Sequence, residues 1–405
     1  MKVTVVGQGY VGLPIAVCAA EAGYVVKGFD IDEKKIKNLK NGVTDSPEVS
    51  SDKILQLQSE GKISFSSNIL EHADSSIFII AVPTPLDDNH KPDLKYLKKA
   101  CELIAKVVKP NDLIINESTC YIGTLRDLVK PIIYNLSGLG DIDYAVAPER
   151  IDPGNETWSV YNTPRVIAGL TDQATRRAVG FYSDFCSAIK SVSKPEVAEA
   201  AKLLENTFRQ VNIGLINEFS EIASKFNFSA HEAIIAAATK PFGFMPFYPS
   251  IGVGGHCIPV DPSYLAFSAE SVGIEAKFIN LANLTNSSMP KIIAERIKIL
   301  LDGNLSGKKI QIAGIAYKPN ISDIRESPAL DLINELKLLG ASVSWHDPFV
   351  ANYNNEQSSE LNVNINLGLI ITPHDQIDFS IWKESSVKVL DLSANSKNYG
   401  WPKFL

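Results

Sequence analysis

The chain is poor in the features that build metal centres, disulfide scaffolds and membrane anchors. Its five cysteines, Cys18, Cys101, Cys120, Cys186 and Cys257, are odd in number and scattered, with no CxxC pair. That pattern argues for neither a disulfide framework nor a zinc site. The six histidines share no metal-ligand spacing either, and no metal is expected. No apolar run reaches the ~20 residues that span a bilayer. No charged-then-apolar leader stands before Val3–Val6, so a cytoplasmic protein without membrane contact is expected. Basic clusters are missing too, and the net charge of −7 argues against a nucleic-acid surface. An anionic ligand must then be held by a few placed cations. What is present is an ordinary globular composition: 405 residues, 45% hydrophobic and 21% charged, enough for two or three domains of about 100–200 residues each.

The chain changes character twice. Val3–Val6, Val25–Phe29, Ile77–Val82, Leu113–Asn116, Tyr144–Ala147 and Arg165–Ala168 read as strands, with helical patterns such as Pro14–Ala22 and Leu94–Val108 between them. Such βα alternation predicts a parallel, doubly wound sheet. From Pro195 the pattern turns helical: Val197–Phe226 is a long run of helix formers holding one glycine, and Ser229–Ala238, Ile274–Asn286 and Pro290–Leu301 follow. Pro241–Pro262, rich in Gly, Pro and aromatics, reads as a loop. Strand patterns return at Lys309–Ile315, Ser342–His346, Gly368–Thr372 and Val387–Leu392, with a helix at Ser327–Leu339. The expected fold is α/β, two Rossmann-like doubly wound domains joined by a long-helix middle domain, divided as 1–194, 195–302 and 303–405.

The first chemical motif is Gly7-x-Gly9-x-x-Gly12 after the first strand. Gly7 permits the tight turn, Gly9 the approach of a pyrophosphate, and Gly12 the packing of helix on strand. The helix start then offers unpaired N–H groups to the phosphates. Asp30 closes the second strand about twenty residues on, where an acid binds a ribose 2′-OH and repels a 2′-phosphate, so NAD is expected over NADP. Pro83 and Thr84 follow the next strand, and Glu117-Ser118-Thr119-Cys120 the one after. Both reach the carboxyl edge of the sheet, where open α/β folds bind ligands. Thr119 is placed to order a water or hydroxyl. Glu149, after a further strand, is a candidate general base. Lys202 and Asn206 share a helix face with Arg209 one turn on, a cation and amide suited to an oxyanion.

Gly254-Gly255-His256-Cys257-Ile258-Pro259-Val260-Asp261-Pro262 is the most informative run. A thiol in a glycine-flanked loop with a carboxylate four residues later suits a nucleophile better than a core cysteine. Cys120 is the rival, without nearby glycines or a downstream acid. A hydride acceptor and a covalent thiol in one chain point to an alcohol oxidised past the aldehyde to an acid. Beyond it, Lys318 and Arg325 are isolated cations suited to a diphosphate.

Together these residues closely resemble the UDP-glucose/GDP-mannose dehydrogenase family, over nearly the whole chain and in the family's motif order. The resemblance implies NAD as cofactor, a dimerising middle domain, a UDP-binding third domain and four-electron oxidation of a sugar C6 alcohol. It also implies Cys257 as nucleophile, Lys202 and Asn206 as oxyanion stabilisers, and Thr119, Glu149 and Asp261 as the water-holding and acid–base groups. Gly7, Gly9, Tyr10, Val11, Gly12, Asp30, Lys35, Pro83, Thr84 and Thr119 fall on the NAD side. Glu149, Arg150, Lys202, Asn206, Arg209, Gly254, Gly255, His256, Lys318 and Arg325 fall on the UDP-sugar side, with Arg325 reaching the site of the partner in a homodimer. Val260 stands where the UDP-glucose and GDP-mannose branches carry Lys, and Pro153 where they often carry a second acid. The pattern at 148–150 and 153–154 and the Asn206–Asn212 run resemble the UDP-N-acetylhexosamine branch. Within it, Lys240–Phe247 and Cys257–Pro262 are more similar to UDP-N-acetylglucosamine 6-dehydrogenases than to the mannosamine enzymes. The implied product would feed a surface polysaccharide. UDP-N-acetylmannosamine is the alternative substrate, and UDP-glucose a weaker one. A two-electron β-hydroxyacid dehydrogenase or a non-enzymatic NAD sensor would leave Cys257 unexplained.

Overall fold

The computed structural model describes residues 1–44, 46, 48–151 and 157–405. Two compact units are present. One comprises Met1–Glu205 with Phe267–Val272, the other Asn206–Ala266 with Gly273–Leu405.

The first unit is built on β1 (Lys2–Val6), β2 (Val25–Phe29), β3 (Ile63–Ser66), β4 (Ile77–Ile80), β5 (Leu113–Asn116), β6 (Asp143–Val146), β7 (Arg165–Gly169) and β8 (Ile189–Ser191). They form one sheet in the order β3-β2-β1-β4-β5-β6-β7-β8, parallel except where β7 runs against β6. Helices cover both faces, so the central strands are unbroken apolar runs: every residue of Ile77–Ile80 and Leu113–Asn116 is buried, as a doubly covered parallel strand requires. The winding direction reverses between β1 and β4, and ligands of such sheets bind at the carboxyl ends beside that reversal. The edge strand β3 and the far strand β8 are not legible in the sequence. They are short, serine-containing and only partly buried.

A helix of 32 residues, Pro195–Phe226, runs on into the second unit and is about 48 Å long at 1.5 Å per residue. The helices Ala230–Ala238, Asp261–Ser271 and Lys277–Leu300 follow. Two expectations need correction here. The helices predicted over Ile274–Asn286 and Pro290–Leu301 are one helix, with Pro290 inside it. A proline in a helix interior costs about 3 kcal/mol. The fully buried Met289, Ile293, Ala294 and Ile297 offset that by packing against Ile310, Ile312, Leu332 and Leu336. The segment Pro241–Pro262, read as loop throughout, gives way to helix at Asp261, because proline is tolerated in a first helical turn.

The rest of the second unit carries β9 (Lys309–Ala313), β10 (Ser342–His346), a small hairpin of β11 (Asn352–Tyr353) and β12 (Glu356–Gln357), then β13 (Leu367–Ile370) and β14 (Val389–Asp391). The main sheet runs β10-β9-β13-β14, all parallel, with helix Pro328–Leu338 following β9. Gly314 ends β9 at φ +83°, and a Cβ there would lie 1.8 Å from the Thr372 carbonyl oxygen. Gly314→Ala is therefore expected to destabilise the second unit by roughly 2–4 kcal/mol, through strain and main-chain collision. A melting curve of the variant indistinguishable from the parent's would refute this.

Candidate active site

The turn after β1 meets the steric demands of a dinucleotide. Gly7 has φ +96°, and a Cβ on it would approach the Ala81 carbonyl oxygen to 2.3 Å. A Cβ on Gly12 would lie 1.8 Å from the Gly7 oxygen, whereas one on Gly9 would meet nothing within 4 Å. Helix Gly12–Glu21 has no side-chain cap at its start, so no side chain competes there with an anion for the positive end of the helix. Asp30 accepts from the Gln8 N–H at 2.9 Å and pairs with Lys35 Nζ at 3.3 Å, which fixes the carboxylate at the end of β2. Gln8 turns inward and donates from Nε2 to the Val5 carbonyl at 2.8 Å. Tyr10 and Val11 are half-buried on the turn, Pro83 is exposed and Thr84 half-buried after β4. Clearance at Gly9, close packing at Gly7 and Gly12, and an acid at the end of β2 all fit NAD.

Further along the same edge, Thr119, Lys202, Ser118, Cys120, Pro148 and Glu199 line one small cavity. Ser118 Oγ accepts from the Val82 N–H at 2.9 Å and donates to the Val82 carbonyl at 2.8 Å, tying the ends of β4 and β5. Cys120 is 3% exposed; its sulfur lies 3.4 Å from Asn116 Nδ2 and 3.9 Å from Glu199 Oε1. Glu149, buried, accepts from the Ile151 N–H at 2.6 Å and lies 3.8 Å from Arg165 Nη2. Arg165 Nη1 donates to Glu117 Oε2 at 2.8 Å, and the Tyr182 hydroxyl donates to the other oxygen of Glu117. Burial pushes the Glu117 carboxyl up, against the pull of Arg165. Burial alone would lower Arg165, but Glu117 and Glu149 hold its guanidinium above the ordinary value. Arg150 is committed inside this unit. It pairs with Glu205 at 2.7 Å and donates to the Pro164 carbonyl at 2.6 Å. Pro153 and Gly154 lie outside the described residues.

In the second unit, Asp261 is 2% exposed and accepts from Asn206 Nδ2 at 2.6 Å. Its own N–H donates to the Cys257 carbonyl at 2.9 Å, so the helix beginning at Asp261 closes the thiol loop. Among the described residues, which include all five cysteines, Cys257 alone is exposed. Burial pushes the Cys18 and Cys101 thiols up to about 12 and raises Cys186. The glycines before Cys257 are demanded by packing. A Cβ on Gly254 would sit 2.8 Å from the Glu326 oxygen, and one on Gly255 2.7 Å from the Tyr317 ring. The Gly255 N–H donates to the Arg325 carbonyl at 3.1 Å. The Arg325 side chain pairs with Asp323 of its own chain, Nε lying 2.8 Å from Oδ1. His256 is half-buried, its Nε2 has no hydrogen-bond partner among the described residues, and burial lowers its pKa, helped by Arg325. Lys318 is half-buried in the loop that carries Arg325, and Arg209 is exposed on the long helix one turn beyond Asn206.

Sequence reasoning missed Glu199, Glu117, Arg165 and Tyr182. The first is buried on the long helix three residues before Lys202, a spacing that could have flagged it. The other three stand just after β5, in β7 and in the helix Asp172–Ser183, and no spacing links them.

A nucleotide-binding turn at the switch point, with an acid for the ribose and a thiol loop elsewhere in the chain, defines an NAD-dependent oxidoreductase. The domain models of one family then match in series: the NAD binding domain of the UDP-glucose/GDP-mannose dehydrogenase family over residues 1–186, its central domain over 196–288 and its UDP binding domain over 311–391. The chain belongs to the UDP-glucose/GDP-mannose dehydrogenase family. It is 36% identical to a UDP-N-acetyl-D-glucosamine 6-dehydrogenase of Pseudomonas aeruginosa, across 87% of this chain and 83% of that one. It is also 36% identical to a UDP-N-acetyl-D-mannosamine dehydrogenase of Pyrococcus horikoshii, across 86% and 84%. The solved structure of a UDP-D-ManNAc dehydrogenase from Pyrococcus horikoshii superimposes with a TM-score of 0.90 at 33% identity, covering 100% of this chain and 97% of that one. Among the described residues no helix is long and apolar enough to cross a membrane.

Removing Arg165 would leave Glu117 and Glu149 buried without their cation. Arg165→Met is expected to destabilise the first unit by about 3–5 kcal/mol, read as a fall in its denaturation midpoint. A midpoint within error of the parent's would show that the pair carries no net stability.

Proposed function

We propose that this enzyme oxidises the C6 alcohol of a UDP-N-acetylhexosamine to the carboxylate, with UDP-N-acetylglucosamine as the first-choice substrate. The exposure of Cys257, against the burial of Cys101, Cys120 and Cys186, is the observation that carries this reading, because a two-electron dehydrogenase has no use for an accessible thiol. Bound NAD supplies a hydride acceptor, needed once for each of two oxidations. Gly9, the uncapped helix start and Asp30 would hold it. In the first oxidation the C6 hydroxyl gives up a proton and a hydride and becomes an aldehyde. The Cys257 sulfur then adds to the aldehyde carbon, forming a hemithioacetal. Lys202 and Asn206 stabilise its oxyanion. Loss of a second hydride leaves a thioester, and water held by Thr119, Glu149 and Asp261 cleaves it to the acid and the free thiol. The Asn206–Asp261 hydrogen bond supports this assignment, since it orients an amide donor and a carboxylate together. Lys318 and Arg325 are the cations assigned to the diphosphate, and the uronate product would serve a surface polysaccharide.

The choice of the glucosamine sugar rests on Lys240–Phe247 and Cys257–Pro262. UDP-N-acetylmannosamine is the second reading, favoured by the backbone likeness to the archaeal structure. With limiting UDP-N-acetylglucosamine and excess NAD, two NADH per sugar are expected. One NADH per sugar would remove the role given to Cys257. None at all would withdraw the sugar and move the test to the mannosamine epimer. Cys257→Ser should lower turnover to the acid by at least a thousandfold, because serine is a far weaker nucleophile at neutral pH.

A homodimer is part of the same proposal, and within it Arg325 would serve the partner's site. The long helix exposes Phe208, Leu215, Ile222 and Phe226, and helix Lys277–Leu300 exposes Phe278, Leu281 and Leu284. Apolar faces of that extent mark association surfaces, and the seven-residue steps from 208 to 222 suit a helix seam. Leu215→Glu combined with Ile222→Glu should give a monomer by sedimentation with little change in helix content. A dimer that persists would place the interface elsewhere.

A further inference from the structure

We propose that Glu199 is a positioning residue of the reaction: from the long helix it fixes the turn behind Thr119, so that Thr119 and Lys202 are presented to one cavity. The proposal rests on the reading above only in giving Thr119 and Lys202 their roles. Glu199 is 2% exposed and lines that cavity with both residues. Its Oε2 accepts from the Gly123 N–H at 2.6 Å, and its Oε1 from the Leu125 N–H at 3.0 Å. Oε1 also lies 3.9 Å from the sulfur of Cys120, the residue after Thr119.

From Ile122 to Asp127 the main-chain donors of this turn can be accounted for one by one. The Ile122 N–H goes to Ser268 Oγ at 3.1 Å, the Thr124 N–H to the Tyr121 carbonyl at 3.2 Å, and the Arg126 and Asp127 N–H groups to the Gly123 carbonyl at 3.1 and 2.9 Å. The two that remain, Gly123 and Leu125, both depend on Glu199. Without that carboxylate, two buried donors would lose their acceptors, and the turn would have to move to recover them. A structural anchor of this kind is common. What separates Glu199 from an ordinary one is its place in the cavity wall one turn before Lys202.

The hydrogen bonds are strongest to an ionised carboxylate. Burial pushes the Glu199 carboxyl up to about 7, opposed by the Gly123 and Leu125 N–H groups. The charged groups acting on it are Glu196 on its own helix, which pairs with Arg126 at 2.5 Å, and Asp127 on the turn; Lys202 lines the same cavity one turn further along that helix. Glu196 and Asp127 add to the upward push. Full grip on the turn therefore belongs to pH above about 7, and slackens as the pH falls through that value.

The test uses the full-length protein and two variants, Glu199→Gln and Glu199→Asp. Gln keeps one acceptor and turns an NH2 group towards the second donor. Asp keeps the charge but falls short by one methylene. Hydrogen exchange of the 121–126 segment, which requires no substrate, is expected to quicken at least tenfold in either variant. In the parent it should quicken beyond the intrinsic rate change as pH drops from 8 to 6. With UDP-N-acetylglucosamine and NAD, kcat should fall at least tenfold at pH 8 with NAD affinity within twofold, and the acid limb near pH 7 should vanish in Glu199→Gln. Unchanged exchange over 121–126 in a folded variant would overturn the proposal. So would a fall in kcat with the acid limb kept at its old pH, which marks a passive anchor. If Glu199→Gln does not fold, Glu199→Asp carries the exchange and kcat readings, and its acid limb should move from the parent's pH rather than vanish. Thr119→Ala and Lys202→Ala with parental turnover would sink the assigned roles of those residues, a failure distinct from that of Glu199.

Discussion

Removing a carboxylate from water costs several kcal/mol unless donors are aimed at it, and this constraint organises both units. Glu117 is met by Arg165 and Tyr182, Glu149 by the Ile151 N–H, Glu199 by Gly123 and Leu125, and Asp261 by Asn206. In the second unit Asp347 accepts from the Ile315 and Ala316 N–H groups at 2.8 and 3.0 Å. Nδ1 of His374 accepts from the Asn320 N–H at 2.8 Å, so its Nε2 carries the proton and donates to Asp347 at 3.0 Å. Burial would raise Asp347, yet His374 and the main-chain donors hold it below the usual carboxylate range. Glu117, Glu149, Glu199 and Asp347 hold loops that leave the carboxyl end of a strand, and Asp261 the loop that enters its own helix. A loop carrying chemistry is thereby given one conformation without being buried in apolar side chains.

The same economy explains how an acidic protein can hold an anionic nucleotide. Those of its lysines and arginines that sit in surface pairs contribute little. The positive potential at the cofactor turn comes from main-chain N–H groups at the start of Gly12–Glu21, which carry no formal charge and repel nothing. Asp30 then adds a negative charge just where selection against a 2′-phosphate needs it. Lys35 tempers that charge at 3.3 Å without cancelling it, since its own side chain is 39% exposed.

Much of this was legible from residue order. The central strands are continuous runs of Val, Ile and Leu, and β2, β5 and β10 begin and end where the pattern places them. The glycine turn announces itself because only glycine fits where a Cβ would strike a carbonyl. The edge strands and the joined helix around Pro290 were hidden, because tertiary packing rather than local propensity decides them. The buried network around Glu117, which reaches Glu149 through Arg165, was hidden for a different reason. Glu117, Arg165 and Tyr182 come from three separate elements, and a network that closes only in space leaves no periodic trace. Arg150, expected from residue type to meet an anion, pairs with Glu205 in the structure.

Glu199 did leave a trace, and its form is general. Helix positions that face a core are ordinarily apolar at steps of three and four. On the long helix Glu199, Lys202, Asn206, Gln210 and Asn217 are all buried, at successive steps of three, four, four and seven. The exposed face carries Leu204, Phe208, Leu215 and Ile222, so the usual pattern is inverted. Desolvating five polar side chains on one stripe would be ruinous without partners. Asn217 finds Asn286 Oδ1 at 2.9 Å and the Ser250 N–H at 2.8 Å, Asn206 finds Asp261, and Glu199 finds the turn at 123–125. A helix whose polar residues recur at core spacing while its apolar residues recur opposite them carries in its sequence the pattern on which the proposed site and the proposed association face both rest. The two readings support each other, because neither face would be stable if the helix stood alone in water.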